Sequence, residues 1–249
     1  DECDAGDLDA VLSLIGSVRP THIINCSAYN QVDLAEERFD LAFRINATGA
    51  RNLAYGARKH GAFLVHYSTD YVFDGTKETG LYCEDDPPHP LSVYGRSKYL
   101  SELAVRDETD RSLIFRVSWV FGEGTQNFVY KVRQWAGQDD RLRISSDEVS
   151  VPTATATIVE VTMRALDSGL SGLFHLTNSG YASRYEWARR IIDLLGLKTL
   201  VYPVPSDVFN LPAKRPKFSA MSNEAISGEL SLSIPHWEEA LKEHLARRD

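Results

Sequence analysis

Apolar and polar positions along the chain alternate between a helical period and short apolar runs. Residues 7–17 (DLDAVLSLIGS) predict an amphipathic helix capped by Asp7, and Arg19-Pro20 stops it. THIINCSAY (21–29) predicts a buried strand with Ile23, Ile24 and Cys26 as its apolar body. Its end, with Asn25, Ser27 and Ala28, is small or polar, as a strand end facing a ligand requires. Val32 to Gly61 predicts a mainly helical stretch, with Leu41, Ile45 and Leu53 on its apolar stripe and Asn46 and Thr48 interrupting it. Gly61 is its C-cap. The run AFLVHYS then predicts a parallel strand delivering Ser68, Thr69 and Asp70 to its carboxyl end.

Helix, strand, helix, strand is the order of a doubly wound parallel α/β sheet with right-handed crossovers, a Rossmann-like arrangement. Such sheets bind ligands at the carboxyl ends of their strands, here Ala28-Tyr29 and Ser68-Thr69. Further on, the pattern predicts a helix opening at Tyr94 and a strand over 112–122. It adds a helix over 127–136, a short strand at Leu142–Ile144 and a turn at SVPT (150–153). A helix over 158–166, a strand over 172–178 and a helix over 183–195 with a capping box at Ser183 and Glu186 follow. A basic, proline-bearing loop (204–222) and a last helix (235–246) complete the chain. The shorter elements of the last third suggest a smaller lobe over the mouth of the sheet.

Composition narrows the function classes. The chain has 249 residues and a formal net charge of −8, which argues against a general nucleic-acid binder. No apolar run reaches the roughly 18 residues of a membrane span. Cys3, Cys26 and Cys83 are odd in number and widely spaced, which fits reduced thiols in a cytoplasmic protein better than a disulfide framework or a metal site. There is no signal-peptide pattern and no glycine-rich phosphate loop. The first βαβ unit, about 30 residues long, is therefore expected to precede Asp1.

The candidate chemistry sits at Tyr94 and Lys98, one helical turn apart on one face. A phenol is protonated at neutral pH, and a neighbouring ammonium is expected to make it a better acid. Thr69, at the preceding strand tip, could hydrogen-bond the same carbonyl oxygen, and Lys98 could hold a ribose. An exposed surface pair is the plainer alternative for Tyr94 and Lys98, as core packing is for Trp119 and Tyr67. Asn127-Phe128 suits a sugar contact and a helix cap equally. The acid pairs Glu36-Glu37 and Asp85-Asp86 are expected to be solvated surface.

INCSAYNQVDLAEE, NATG at 46–49, HYSTDYVFDG, PLSVYGRSK, FRVSWVFG, SVPT, GLFHLTNSGY and PAKRP carry a resemblance over essentially the whole chain. The chain resembles the dTDP-4-dehydrorhamnose reductases, nucleotide-sugar enzymes of the extended short-chain dehydrogenase/reductase group. The resemblance implies NADPH- or NADH-dependent reduction of the C4 ketone of a dTDP-sugar, with Tyr94 as proton donor, Lys98 its partner on the nicotinamide ribose and Thr69 tuning the reaction. It places Asp4 and Ala5 by the adenosine, and Ala28, Tyr29, Asn30 and Tyr67 along the rest of the cofactor. Asp70 and Trp119 match substrate-contacting positions. In the basic loop 212–217 (PAKRPK), Lys214 or Arg215 is expected to meet the nucleotide diphosphate or its flanking residues, with a solvated surface loop as the plainer alternative. Residues 1–149, with parts of 150–202 returning to them, would form the NAD(P)-binding core. Residues 150–249 would form mainly the substrate-binding lobe. A homodimer fits the group. Relatives that bind magnesium leave a metal open, with no ligands placed here. The chain departs from the group in lacking the phosphate loop, in Leu34 for the usual Lys, and in Asn30-Gln31 for the usual Thr-Ala. Those departures keep open a reductase or epimerase of another nucleotide sugar. A non-catalytic subunit resembling the methionine adenosyltransferase beta subunit is a third reading.

Overall fold

The computed structural model describes residues 3–247. Helix α1 (Leu8–Val18) begins where the Asp7 carboxylate accepts the free N–H groups of Asp9 and Ala10 at 3.0 and 3.1 Å. Strand β1 (His22–Asn25) follows. It is shorter than the apolar run predicts, because the chain leaves the sheet at Asn25, whose side chain accepts from the Ser27 amide and hydroxyl. The predicted long helix is broken into α2 (Val32–Glu37), α3 (Phe39–Phe43), one π-turn (Arg44–Thr48) and α4 (Gly49–His60). Gly61 closes α4 in the left-handed conformation, φ 72°.

Strand β2 (Phe63–Thr69) runs into a short turn (Asp70–Val72) and then, by a long connection, into α5 (Val93–Glu108). Strand β3 (Ser112–Val117) ends before Trp119, whose φ of 40° turns the chain out of the sheet into β4 (Val120–Phe121). The single strand predicted over 112–122 is thus two strands with different partners. Helix α6 (Phe128–Ala136), β5 (Arg141–Ser145), β6 (Val149–Ser150) and β7 (Thr153–Ala154) come next. Then follow α7 (Thr155–Asp167), β8 (Gly172–His175), β9 (Ala182–Ser183) and α8 (Arg184–Leu194). The predicted capping box of α8 is present. Strand β10 (Leu200–Val204), α9 (Glu224–Leu230) and α10 (Trp237–Ala246) complete the order.

The main sheet is parallel, in the order β1-β2-β3-β8. One face is covered by α4 and α5 over Ala54, Ala57, Leu64 and Ile114. The other is covered by α7 and α9 over Val65, Phe115, Val161 and Ile226. A parallel sheet with helices on both faces makes this a doubly wound α/β fold. A second apolar cluster surrounds Trp187, which is fully buried, and joins α6, β5, α8 and α10. There β10 pairs in parallel with β5. Among the described residues no helix is long and apolar enough to cross a membrane.

Candidate active site

Parallel strands end together at one edge of the sheet, and β2 delivers Thr69 there. Helix α5 starts beside it. Ser92 caps the helix by accepting from the Gly95 amide at 3.1 Å, and Glu36 accepts from the Val93 amide at 2.9 Å. Glu36 is therefore a tie between α2 and α5 rather than solvated surface. Asp86 likewise accepts from the Cys83 amide at 2.7 Å and pairs with Lys77. Gly95 is required for the approach of α5, since a Cβ there would stand 2.3 Å from the Tyr71 carbonyl oxygen. That contact sets the Tyr94 ring edge-on to Tyr71, with centroids 5.9 Å apart.

Burial raises the Tyr94 phenol well above its ordinary value. A hydrogen bond from Thr69 opposes the shift, while the charges of Asp70 and Tyr71 add to it. This corrects the expectation that a neighbouring ammonium would make the phenol more acidic. Lys98 is 2% exposed and donates from Nζ to the Tyr67 carbonyl at 2.6 Å. Burial lowers its pKa to about 8, with the Glu102 carboxylate working against the shift. The site thus holds a neutral phenol, an ammonium with two further N–H donors and a threonine hydroxyl at one strand end.

Two buried polar chains hold α5 against the sheet. In the first, Asn25 meets His66 Nδ1 at 3.0 Å, and His66 Nε2 meets Ser101 Oγ at 2.8 Å. Ser101 in turn donates to the Lys98 carbonyl at 2.5 Å. Burial first, and then the Lys98 charge, keep His66 neutral. In the second, Ser68 donates to Glu102 at 2.5 Å, and Arg116 grips Glu102 through two bonds of 2.9 and 2.7 Å.

Asn46, which the apolar pattern shows only as an interruption, joins two elements of the site. Buried in the π-turn, it accepts from the Tyr29 amide at 2.7 Å and donates to the Tyr29 carbonyl at 3.1 Å. It also donates to Ser97 Oγ at 2.8 Å, and Ser97 donates to the Tyr94 carbonyl at 2.8 Å. One side chain therefore fixes the loop Ala28–Tyr29–Asn30 relative to the Tyr94 helix. Ala28 and Asn30 are exposed at the end of β1. Ala5 is tied to α4 through Asn52, which donates to its carbonyl at 2.9 Å, and Asp4 pairs with Arg44. The Tyr67 ring lies over Phe115, on the opposite sheet face from Lys98, with its hydroxyl 2.9 Å from Thr162 Oγ1.

Asp70 is 2% exposed, and its carboxylate accepts from Ser150 at 2.8 Å and Ser219 at 2.6 Å. Here it ties the sheet edge to two lobe segments. Arg215 donates to Asp33 at 3.0 and 2.6 Å and to the Ala213 carbonyl at 2.9 Å, strapping the basic loop to α2. Asn127 caps α6 by accepting from the Tyr130 amide at 3.0 Å, and Phe128 packs on Trp187 with centroids 4.7 Å apart. Trp119 stacks on Trp187 at 5.6 Å and carries the Arg184 guanidinium 3.8 Å from its ring centroid. Among the described residues, no group of three or more His, Cys, Asp or Glu side chains is placed to hold a metal ion.

A doubly wound sheet presenting Thr69, Tyr94 and Lys98 at its carboxyl edge is the frame of the short-chain dehydrogenase/reductase class. The chain belongs to the family described as RmlD substrate binding domain, whose model matches residues 1–249. It is 39% identical to the spore coat polysaccharide biosynthesis protein SpsK of Bacillus subtilis, over 97% of this chain and 84% of that one. It is 33% identical to a dTDP-4-dehydrorhamnose reductase of Burkholderia thailandensis, over 97% and 86% of the two chains. A solved dTDP-4-dehydrorhamnose reductase of Bacillus anthracis, in complex with NADP, superposes with a TM-score of 0.95 at 34% identity, covering 98% of this chain and 87% of that one.

Proposed function

We propose that this protein reduces the C4 ketone of dTDP-4-dehydro-L-rhamnose to dTDP-L-rhamnose, using NADPH or NADH. The observation that carries this is the convergence of Thr69, the neutral Tyr94 phenol and the Lys98 ammonium on one strand end, in a member of this family. The residues present fit a nicotinamide cofactor. Lys98 has N–H donors to spare for ribose hydroxyls, and the Ala28–Tyr29–Asn30 loop is exposed and held in place. When bound, the cofactor supplies the hydride. Tyr94 gives its proton to the C4 oxygen as the C–O double bond becomes an alcohol, and Thr69 donates a hydrogen bond to the same oxygen. Asp4 and Ala5 lie toward the adenosine, Tyr67 contributes its carbonyl as an anchor for Lys98, and Asp70, Trp119 and Arg215 shape the substrate side. In this reading residues 1–149 are mainly the cofactor core and 150–249 mainly the substrate lobe.

The test is NAD(P)H oxidation by the full-length protein with dTDP-4-dehydrorhamnose. Tyr94→Phe is expected to lower kcat by roughly 10²–10⁴-fold. Absence of turnover in the wild type, or full turnover in the variant, refutes the reading. Asn30, Gln31 and Leu34 are all exposed on the loop and helix beside the site, which favours a second reading, a related nucleotide sugar as substrate. NMR of the product separates the two. The free cysteines suit a cytoplasmic setting. Leu100 and Leu103, exposed on α5 at 44% and 41% beside an open cavity of about 1170 Å³, support a homodimer. A monomer in sedimentation equilibrium refutes that part alone.

A further inference from the structure

Arg184 differs from the other partly buried arginines near the site. Arg116 spends its donors on Glu102, and Arg215 spends its donors on Asp33 and the Ala213 carbonyl. The Arg184 guanidinium has no hydrogen bond among the described residues, and its one ion-pair neighbour among them is Glu148, with Nε 3.8 Å from Oε2. Its side chain is 21% exposed, so most of its water has been removed. A guanidinium stripped of water is costly unless its N–H groups find partners. Stacking satisfies only its faces. It lies 3.8 Å from the Trp119 ring centroid and 5.1 Å from that of Phe128, which leaves the N–H edge unspent.

The position is set by the backbone. Trp119 is held at φ 40°, a left-handed conformation that a bulky residue adopts only under strain. That turn brings its ring under Arg184, at the start of α8. The charge of Arg184 reaches both Asp70 and the Tyr71 hydroxyl, and the Tyr71 ring abuts Tyr94. Arg184 is therefore a cation with free donors, stacked on the ring of a proposed substrate contact.

We propose that Arg184 is a substrate-binding residue that grips the diphosphate of the nucleotide sugar, with Glu148 as the counter-ion that holds it ready. This rests on the nucleotide-sugar reading above. A planar fork of N–H donors matches phosphate oxygens in pairs, and a diphosphate outcompetes a carboxylate standing beyond hydrogen-bond distance. Arg215, which already gives two hydrogen bonds to Asp33 and one to the Ala213 carbonyl, then orders the loop over the site more than it binds the anion.

Calorimetric titration of the full-length protein with thymidine diphosphate, and separately with thymidine, tests this without any turnover. Arg184→Gln is expected to weaken thymidine diphosphate by about tenfold or more while leaving thymidine unchanged. Arg184→Lys keeps the charge but not the fork and falls between. Glu148→Gln, which frees the guanidinium, is expected to tighten thymidine diphosphate by roughly threefold. Melting curves and circular dichroism of each variant identify any that fails to fold, and Glu148→Gln and Arg184→Lys then carry the test. The proposal is overturned if the wild type does not bind thymidine diphosphate, or if Arg184→Gln binds it within about twofold of wild type. It is also overturned if thymidine and its diphosphate weaken equally, which is the mark of a merely structural role. Loss of diphosphate binding in Arg184→Gln beside a wild type inactive on dTDP-4-dehydrorhamnose would sustain this inference and refute the proposed reaction.

Discussion

The two walls of the proposed site are held by different physics. On the sheet side, α5 is bound to β2 and β3 by directional polar chains: Asn25 to His66 to Ser101, and Ser68 to Glu102 to Arg116. On the lobe side, Trp119, Phe121 and Phe128 gather around the buried Trp187 ring, whose Nε1 has no hydrogen-bond partner among the described residues. Hydrogen bonds fix angles as well as distances, whereas apolar packing fixes volume. The wall expected to transfer a proton therefore has one permitted geometry. The wall expected to receive a variable sugar is set mainly by ring packing, with the Asp70 bonds to Ser150 and Ser219 tying it to the sheet edge.

Trp187→Ala is the largest break in that contrast. It opens a cavity in the lobe and is expected to cost about 3–5 kcal/mol of unfolding free energy by denaturant titration. The Tyr94 and Lys98 wall shares no residue with the cavity, so the pH dependence of any remaining activity is expected to stay unchanged. A shifted pH profile would show that the walls are coupled and sink the contrast.

The parts of this arrangement visible in the sequence are those written locally. Tyr94 and Lys98 lie one turn apart, Ser183 and Glu186 form a capping box, and Gly61 ends α4 at positive φ. Each is decided within a few residues. Strand β10 escaped because Pro203 argues against a strand, and it is tolerated here because β10 pairs only with β5, at an edge. Helix α9 escaped because it is seven residues long, contains Ser227 and Gly228 and has no side-chain cap. The break in the long helix and the role of Asn46 share one cause. The π-turn places the Asn46 amide against the Tyr29 peptide, 17 residues away, and a pattern of period 3.6 carries no trace of that. Arg184 is invisible for the same reason, since its platform is 65 residues earlier in the chain.

Asn46→Ala tests the directional wall at a smaller scale. It removes both bonds to the Tyr29 peptide and the bond to Ser97, leaving buried groups unpaired. The expected cost is about 1–3 kcal/mol of stability. Because the loop beside the cofactor is also released, KM for NAD(P)H is expected to rise several-fold with a smaller change in kcat. A loss of stability with an unchanged cofactor KM would make Asn46 purely structural.

The gentlest test is pH, because it alters no atom of the framework except protons. Tyr94, held well above its ordinary value, stays a neutral phenol through the neutral and mildly alkaline range. Lys98 is charged below about 8 and loses its proton above that point. If the ammonium is what binds the ribose hydroxyls, kcat/KM for the cofactor is level below about 8 and then falls, approaching tenfold per further pH unit. That profile reports the free enzyme, the state described here. Burial is the larger cause of the low Lys98 value and Glu102 opposes it, so Glu102→Gln is expected to move the falling limb to lower pH. Because Glu102→Gln also strands the Arg116 charge, the double variant with Arg116→Met is the better vehicle. A limb that stays in place in the double variant would show that Lys98 is governed by its burial alone. The polar chain through Glu102 would then hold α5 in position without tuning it.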